Sequence, residues 1–189
     1  AQSAKRPNVV LIVSDDQTYT DFGFMGNKDV LTPNIDWLAA RSARYVNGYV
    51  PSSVCRPSLV SMLTGLYPHQ HGVYFNHPPP GFRRLTRSPD IGKAEFDALR
   101  EKAASLIRSV PTLPRRLAAS GYRCFQTGKY WEGHWRNAGF TEGMTTAEPS
   151  PGAKNGNKTL ANGDVVAHGN GDHGLSIGRE TMQPISDFI

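Results

Sequence analysis

Apolar side chains run without a break over residues 9–13 (Val-Val-Leu-Ile-Val), between Asn8 and Ser14. A continuous, β-branched run of this length predicts a strand buried on both faces, as in a parallel sheet. It stops abruptly at Ser14-Asp15-Asp16-Gln17. In open α/β sheets ligands bind beyond the carboxyl ends of strands, so two acids at that place are candidates for chemistry. Thr32-Pro33 predicts a helix start, with Thr as cap and Pro in the first turn, and Ile35, Leu38, Ala39 and Ser42 on the inner face. Residues 44–50 read as a second extended segment. Residues 55–66 read as a second helix, with Leu59, Met62, Leu63 and Leu66 at helical spacing and Gly65 weakening its end. Further on, residues 112–120 predict a Thr-capped helix stopped by Gly121, and residues 122–127 a strand ending at Gly128-Lys129. The β…α…β alternation predicts the α/β class, with a mixed, mostly parallel sheet flanked by helices.

Three stretches depart from this alternation. Residues 76–110 predict a surface excursion, Pro-rich and then charged, with a short helix around residues 93–107. Residues 148–174 hold many Gly and Asn and almost no apolar periodicity, which predicts a long loop. At the end, Met182, Ile185, Phe188 and Ile189 have helical spacing without a C-cap, so residues 1–189 are expected to be the front part of a longer protein, truncated at the C-terminus. The start Ala1-Gln2-Ser3-Ala4 lacks Met and suits either a removed signal peptide or trimming.

Composition narrows the class. The chain has 189 residues, 38% hydrophobic and 20% charged, which excludes wholesale disorder and fits one domain or a large piece of one. Two cysteines, Cys55 and Cys124, exclude a disulfide scaffold, and no bond between them is expected. No apolar run approaches the roughly 18 residues of a membrane span. The net charge of +5 suits an anionic substrate or partner. Arg83, Arg84 and Arg87 read as a solvated face, and no nucleic-acid partner is expected.

Candidate chemistry sits at three strand ends or helix starts. Asp15 and Asp16 repel one another unless a hard divalent cation lies between them; the alternative is a solvated turn with Asp15 as a cap. Cys55 lies in Ser52-Ser53-Val54-Cys55-Arg56-Pro57-Ser58, where Pro57 sets a first helical turn. Helix-start amides and the dipole favour an anion there, and the alternative is a buried Cys acting as a small hydrophobe. Lys129 at a strand end suits neutralising an oxyanion, or is an ordinary surface lysine. Tyr74, Phe75, Trp131 and Trp135 suit either a sugar subsite or core packing.

These residues together resemble a known family. Cys55-Arg56-Pro57-Ser58-Leu59 through Leu63-Thr64-Gly65 resembles the sulfatase signature Cys-x-Pro-Ser-Arg followed by Leu-Thr-Gly. Arg6-Pro7-Asn8 through Asp15-Asp16-Gln17 resembles the family's N-terminal strand and metal-binding Asp pair. Thr32-Pro33-Asn34-Ile35-Asp36-Trp37-Leu38-Ala39, Leu66-Tyr67-Pro68-His69-Gln70-His71-Gly72 and Gly121-Tyr122-Arg123 through Gly128-Lys129 follow the family in order and spacing. The resemblance implies an alkaline phosphatase-like fold and a formylglycine-dependent hydrolase of sulfate esters. It implies that a formylglycine-generating enzyme oxidises Cys55 and that the hydrated aldehyde attacks sulfur. It also implies that Ca²⁺ (or Mg²⁺) is held by Asp15, Asp16 and residue 55, with Lys129 stabilising developing charge. The implied substrate is a sulfated small molecule or glycan, and the implied location is periplasmic or secreted. The same superfamily hydrolyses phosphate and phosphonate esters, and a non-catalytic relative binding an anion or carbohydrate is the other alternative.

Three positions depart from the family pattern. Leu59 stands where the signature has Arg; Arg56, three residues earlier on the same helical side, is the candidate to compensate and to contact substrate. Gly128-Lys129-Tyr130-Trp131-Glu132-Gly133-His134 replaces Gly-Lys-Trp-His, making His134 a displaced acid or base, or a loop histidine. His71 is a candidate at the pocket rim. Asp172-His173 lacks the preceding apolar strand expected of a second metal-ligating pair.

Overall fold

The computed structural model describes residues 6–76, 92–144, 157–159, 165–167 and 182–189. The chain divides into two compact units, Ala1–Val50 and Pro51–Ile189.

In the first unit, helix α1 (Pro33–Ala39) starts where Thr32-Pro33 predicts it. Thr32 does not cap with its side chain. Its Oγ1 instead donates to Asp36 Oδ1 (2.8 Å) and accepts from the Gly23 N–H (2.8 Å). Asp36 Oδ1 also accepts from the Phe24 N–H at 2.8 Å, so one carboxylate ties α1 to the 3-10 turn Gly23–Met25. A Cβ on Gly23 would stand 2.4 Å from Asp36 Oδ2, which is why that turn requires glycine.

The expected buried strand at residues 9–13 is not formed. Val9, Val10, Leu11, Ile12 and Val13 are each at least half exposed, and no ladder is assigned to them. A parallel strand is buried by neighbouring strands and covering helices. Among the described residues of this unit the regular elements are α1 and the 3-10 turn, and neither provides such neighbours. The same reason leaves the expected extended segment at 44–50 without a ladder, with Tyr45 and Tyr49 exposed, and leaves Ile35 and Leu38 of α1 exposed.

The second unit holds α2 (Cys55–Thr64), α3 (Pro68–His71), α4 (Lys93–Ser105), α5 (Leu113–Ala119) and α6 (Gln183–Phe188). Helix α2 ends on Gly65 in the left-handed conformation (φ 72°), and it packs on α3 and α5. Its buried face is Arg56, Pro57, Val60 and Ser61, rotated from the expected face; Met62 is exposed. Helix α4 lies where the excursion predicts one and continues as a 3-10 turn, Leu106–Ser109.

The α5 cap follows the sequence closely. Thr112, 1% exposed, accepts from the Arg115 N–H (3.3 Å) and donates to the Ala138 carbonyl. Strand β1 (Phe125–Gln126) is shorter than expected and pairs in parallel with β2 (Glu142–Gly143). Helices with a parallel strand pair make the described chain α/β. The core is Ile107, Tyr130 and Ala138, with Leu63, Val110 and Phe140 against it. Trp131 and Trp135 are buried too, so they serve packing, whereas Tyr74 and Phe75 are exposed.

The loop expected over residues 148–174 contains an antiparallel pair, β3 (Asn157–Thr159) with β4 (Val165–Ala167). One strand is wholly polar (Asn-Lys-Thr) and the other only three residues long (Val-Val-Ala), so neither shows an apolar period. Asp172 and His173, like Arg83, Arg84 and Arg87, lie outside the described residues.

Candidate active site

Cys55 opens α2 as its first helical residue, after the extended Val54. The first turn of a helix leaves amide N–H groups without intrahelical partners. Here the Arg56 N–H donates to Asn76 Oδ1 at 2.8 Å, a cap supplied from 20 residues downstream. Pro57 has no N–H, so it sits in the first turn at no cost.

Lys129 arrives from the other side. Strand β1 ends and Gly128 takes φ 83°, a left-handed turn that an L side chain would strain. The chain then buries Tyr130 and Trp131. Lys129 Nζ comes to 3.2 Å from Cys55 Sγ and lies 6.0 Å over the Trp131 ring. The two groups are 74 residues apart in sequence. A cation beside the first turn of α2 makes this spot suited to negative charge.

Arg56 turns into the protein. Its guanidinium forms a bidentate ion pair with Glu132, Nε to Oε1 at 2.6 Å and Nη2 to Oε2 at 2.9 Å. The two side chains are 5% and 3% exposed. Two of its three guanidinium nitrogens are thereby engaged inside the protein.

His71, half-buried, closes α3. Its Nδ1 accepts from the Val73 N–H (3.1 Å), so its proton lies on Nε2, 3.0 Å from Ser61 Oγ on α2. Burial pushes its pKa below the ordinary value, helped by the nearby Arg56 charge and partly opposed by the Pro57 carbonyl. The ring braces α3 against α2. His134 caps the 3-10 turn Trp135–Ala138, with Nδ1 accepting from the Arg136 N–H at 3.2 Å, and its ring lies 4.9 Å from Trp135.

Asp15 and Asp16 belong to the first unit and are exposed. Asp16 adopts φ 51°, the one non-glycine residue with positive φ among those described. Backbone of this kind costs energy and clusters at ligand sites. Two carboxylates are the hard donors that Ca²⁺ or Mg²⁺ takes, although Ca²⁺ needs about six to eight oxygens. Among the described residues no group of three or more His, Cys, Asp or Glu gathers as a metal shell. The two carboxylates thus match such an ion in donor chemistry alone.

The residues that sequence reasoning missed are Glu132, Asn76 and Asn137. Glu132 had a signal: an acid between Trp131 and Gly133, next to Tyr130, is a carboxylate in an apolar run, which needs a buried cation. The asparagines had none, since their roles depend on contacts distant in sequence.

With this geometry in place, comparison with known proteins is decisive about family. Residues 7–167 match the Sulfatase family model, and the chain belongs to the sulfatase family. Over 97 residues it is 46% identical to human arylsulfatase A, covering 51% of this chain and 19% of that protein. Over 128 residues it is 30% identical to human N-acetylgalactosamine-6-sulfatase, covering 68% of this chain and 22% of that protein. An ulvan-active sulfatase of Formosa agariphila is 35% identical over 74 residues, 39% of this chain and 15% of that protein. The chain thus spans about a fifth of the length of such relatives.

Proposed function

We propose that this protein is a sulfuric ester hydrolase whose nucleophile is made from Cys55. The observation that carries the reading is the approach of Lys129 Nζ to Cys55 Sγ, 3.2 Å, at the start of α2. In the matured protein an oxygen of formylglycine takes the place of Sγ. A hydrated aldehyde supplies two hydroxyls on one carbon, one to attack sulfur and one whose collapse releases sulfate. Lys129 and the first turn of α2 then face the charge that develops on the ester. Asp15 and Asp16 are the residues that, with residue 55, would hold Ca²⁺ or Mg²⁺, which when bound polarises the sulfate oxygens. His134 is retained as a candidate acid or base and His71 as a candidate substrate contact. Both bonds given above tie these rings to the backbone or to α2, which supports positioning more than proton transfer. The relatives act on aryl, steryl and sugar sulfates by name, so a sulfated small molecule or glycan is the proposed substrate class. Among the described residues no helix is long and apolar enough to cross a membrane. A periplasmic or secreted location is part of the same proposal.

A second reading is a non-catalytic relative that binds an anion or carbohydrate. It is favoured by Leu59 together with the commitment of Arg56 to Glu132, which leaves the signature guanidinium unreplaced. Mass spectrometry of the natively expressed protein separates the two. The hydrolase reading expects a Cys55 peptide lighter than its gene-encoded mass, as formylglycine, and turnover of 4-nitrophenyl sulfate above 4-nitrophenyl phosphate. Intact Cys55 with no turnover would establish the second reading.

A further inference from the structure

We infer that the buried Arg56–Glu132 ion pair is a positioning device: it holds Lys129 against residue 55. This rests on the hydrolase reading only in giving that contact its purpose. Between β1 and the turn at Trp135 the segment carrying Lys129 runs through bends. A side-chain ion pair ties it to the start of α2. Glu132 lies three residues after Lys129, and Arg56 lies next to Cys55. The ion pair therefore clamps the two backbone stretches whose neighbouring side chains meet at 3.2 Å. Each partner is itself held by an asparagine. Asn76 Oδ1 accepts the Arg56 N–H at 2.8 Å, and Asn137 Nδ2 donates to the Glu132 carbonyl at 2.7 Å. Arg108 Nε donates to Asn137 Oδ1 at 2.7 Å and anchors the far end.

A fork of two parallel N–H···O bonds fixes orientation as well as distance, which a lysine or an apolar pair does not. Stability alone is a poor account of the pair. Two well-packed apolar residues often serve a core as well as a buried ion pair, whereas removing one partner strands a charge. The distinctive product of this pair is geometry.

The test uses the full chain, expressed so that residue 55 remains Cys. A short thiol-to-amine cross-linker and peptide mapping read the contact without any need for hydrolysis. Cys124 is buried and its thiol is pushed up by that burial, so it stays out of the reaction. Wild type is expected to give a Cys55–Lys129 cross-link. Glu132→Gln and Arg56→Lys should lower its yield toward the background set by Lys129→Ala. Arg123→Gln, which breaks an exposed ion pair with Glu142, should leave it unchanged. The double variant Arg56→Met with Glu132→Leu should regain the wild-type melting temperature but not the cross-link. Wild-type yield in that double variant, or in either folded single variant, would overturn the proposal. In the full-length protein, Glu132→Gln should lower kcat about 100-fold with KM little changed, the effect of an ångström-scale misplacement. If no sulfate ester is turned over yet the cross-link depends on the pair, the hydrolase reading fails and the positioning role stands. Turnover with a pair-independent cross-link gives the reverse.

Discussion

His71 shows how one ring can carry a pH dependence without touching a substrate. Its folded-state pKa is lowered, chiefly by burial, because the charged ring would lose water. The unfolded chain therefore binds the proton more readily. The stability from this residue is fully present above the ordinary value of about 6.5 and is lost as pH falls through the lower folded value. Urea unfolding should show wild type losing stability as pH falls below about 6.5, and His71→Gln should lose less over the same range. A variant with the same slope as wild type would place the dependence elsewhere. Cys55 and Lys129 stood out in the sequence as candidates at a helix start and a strand end, but their meeting was not legible, since 74 residues separate them. The Arg56–Glu132 pair was not legible, because helical periodicity tells which side a residue faces but not which distant acid waits there.

At the scale of elements, the best-read pieces were those with local causes. Helix α5 was legible from Thr112 and Gly121, and α2 from helical spacing read to Leu66, where the structure stops it at Gly65. Thr112 supports both the helix start and the Ala138 carbonyl, so its hydroxyl does two jobs in a dry place. Thr112→Val should cost roughly 1–3 kcal/mol by equilibrium unfolding, the sum of a lost cap and an unsatisfied carbonyl. Gly139 is a second point of control. It has φ 84°, and a Cβ there would stand 2.8 Å from Arg115 Cβ. Gly139→Ala should therefore lower the melting temperature, and an unchanged value would mean that Arg115 gives way. The least legible elements were the strands. An apolar run says that a segment wants neighbours, and only the rest of the protein decides whether it has them. β1 keeps two residues of an expected six because only β2 is there to pair with it among the described residues.

For the molecule as a whole, residues 9–13 are the clearest outlier. Five successive apolar side chains between 51% and 75% exposed make an adhesive stretch, since such runs promote association. Replacing Val10 and Ile12 by Lys should raise the concentration at which the chain self-associates in sedimentation velocity. Unaltered association would clear this stretch of blame. The fold class survived at this scale because α/β alternation is read from many segments at once, so the loss of one strand does not overturn it. Another consequence belongs to time. The two sides of the candidate site are 74 residues apart, and the ion pair behind them joins residues 76 apart. At about 5–20 residues per second of synthesis, Lys129 follows Cys55 from the ribosome by roughly 4–15 s. During that interval the thiol is in a nascent chain that still lacks Lys129. Any enzyme that must reach Cys55 has its opportunity before the clamp exists.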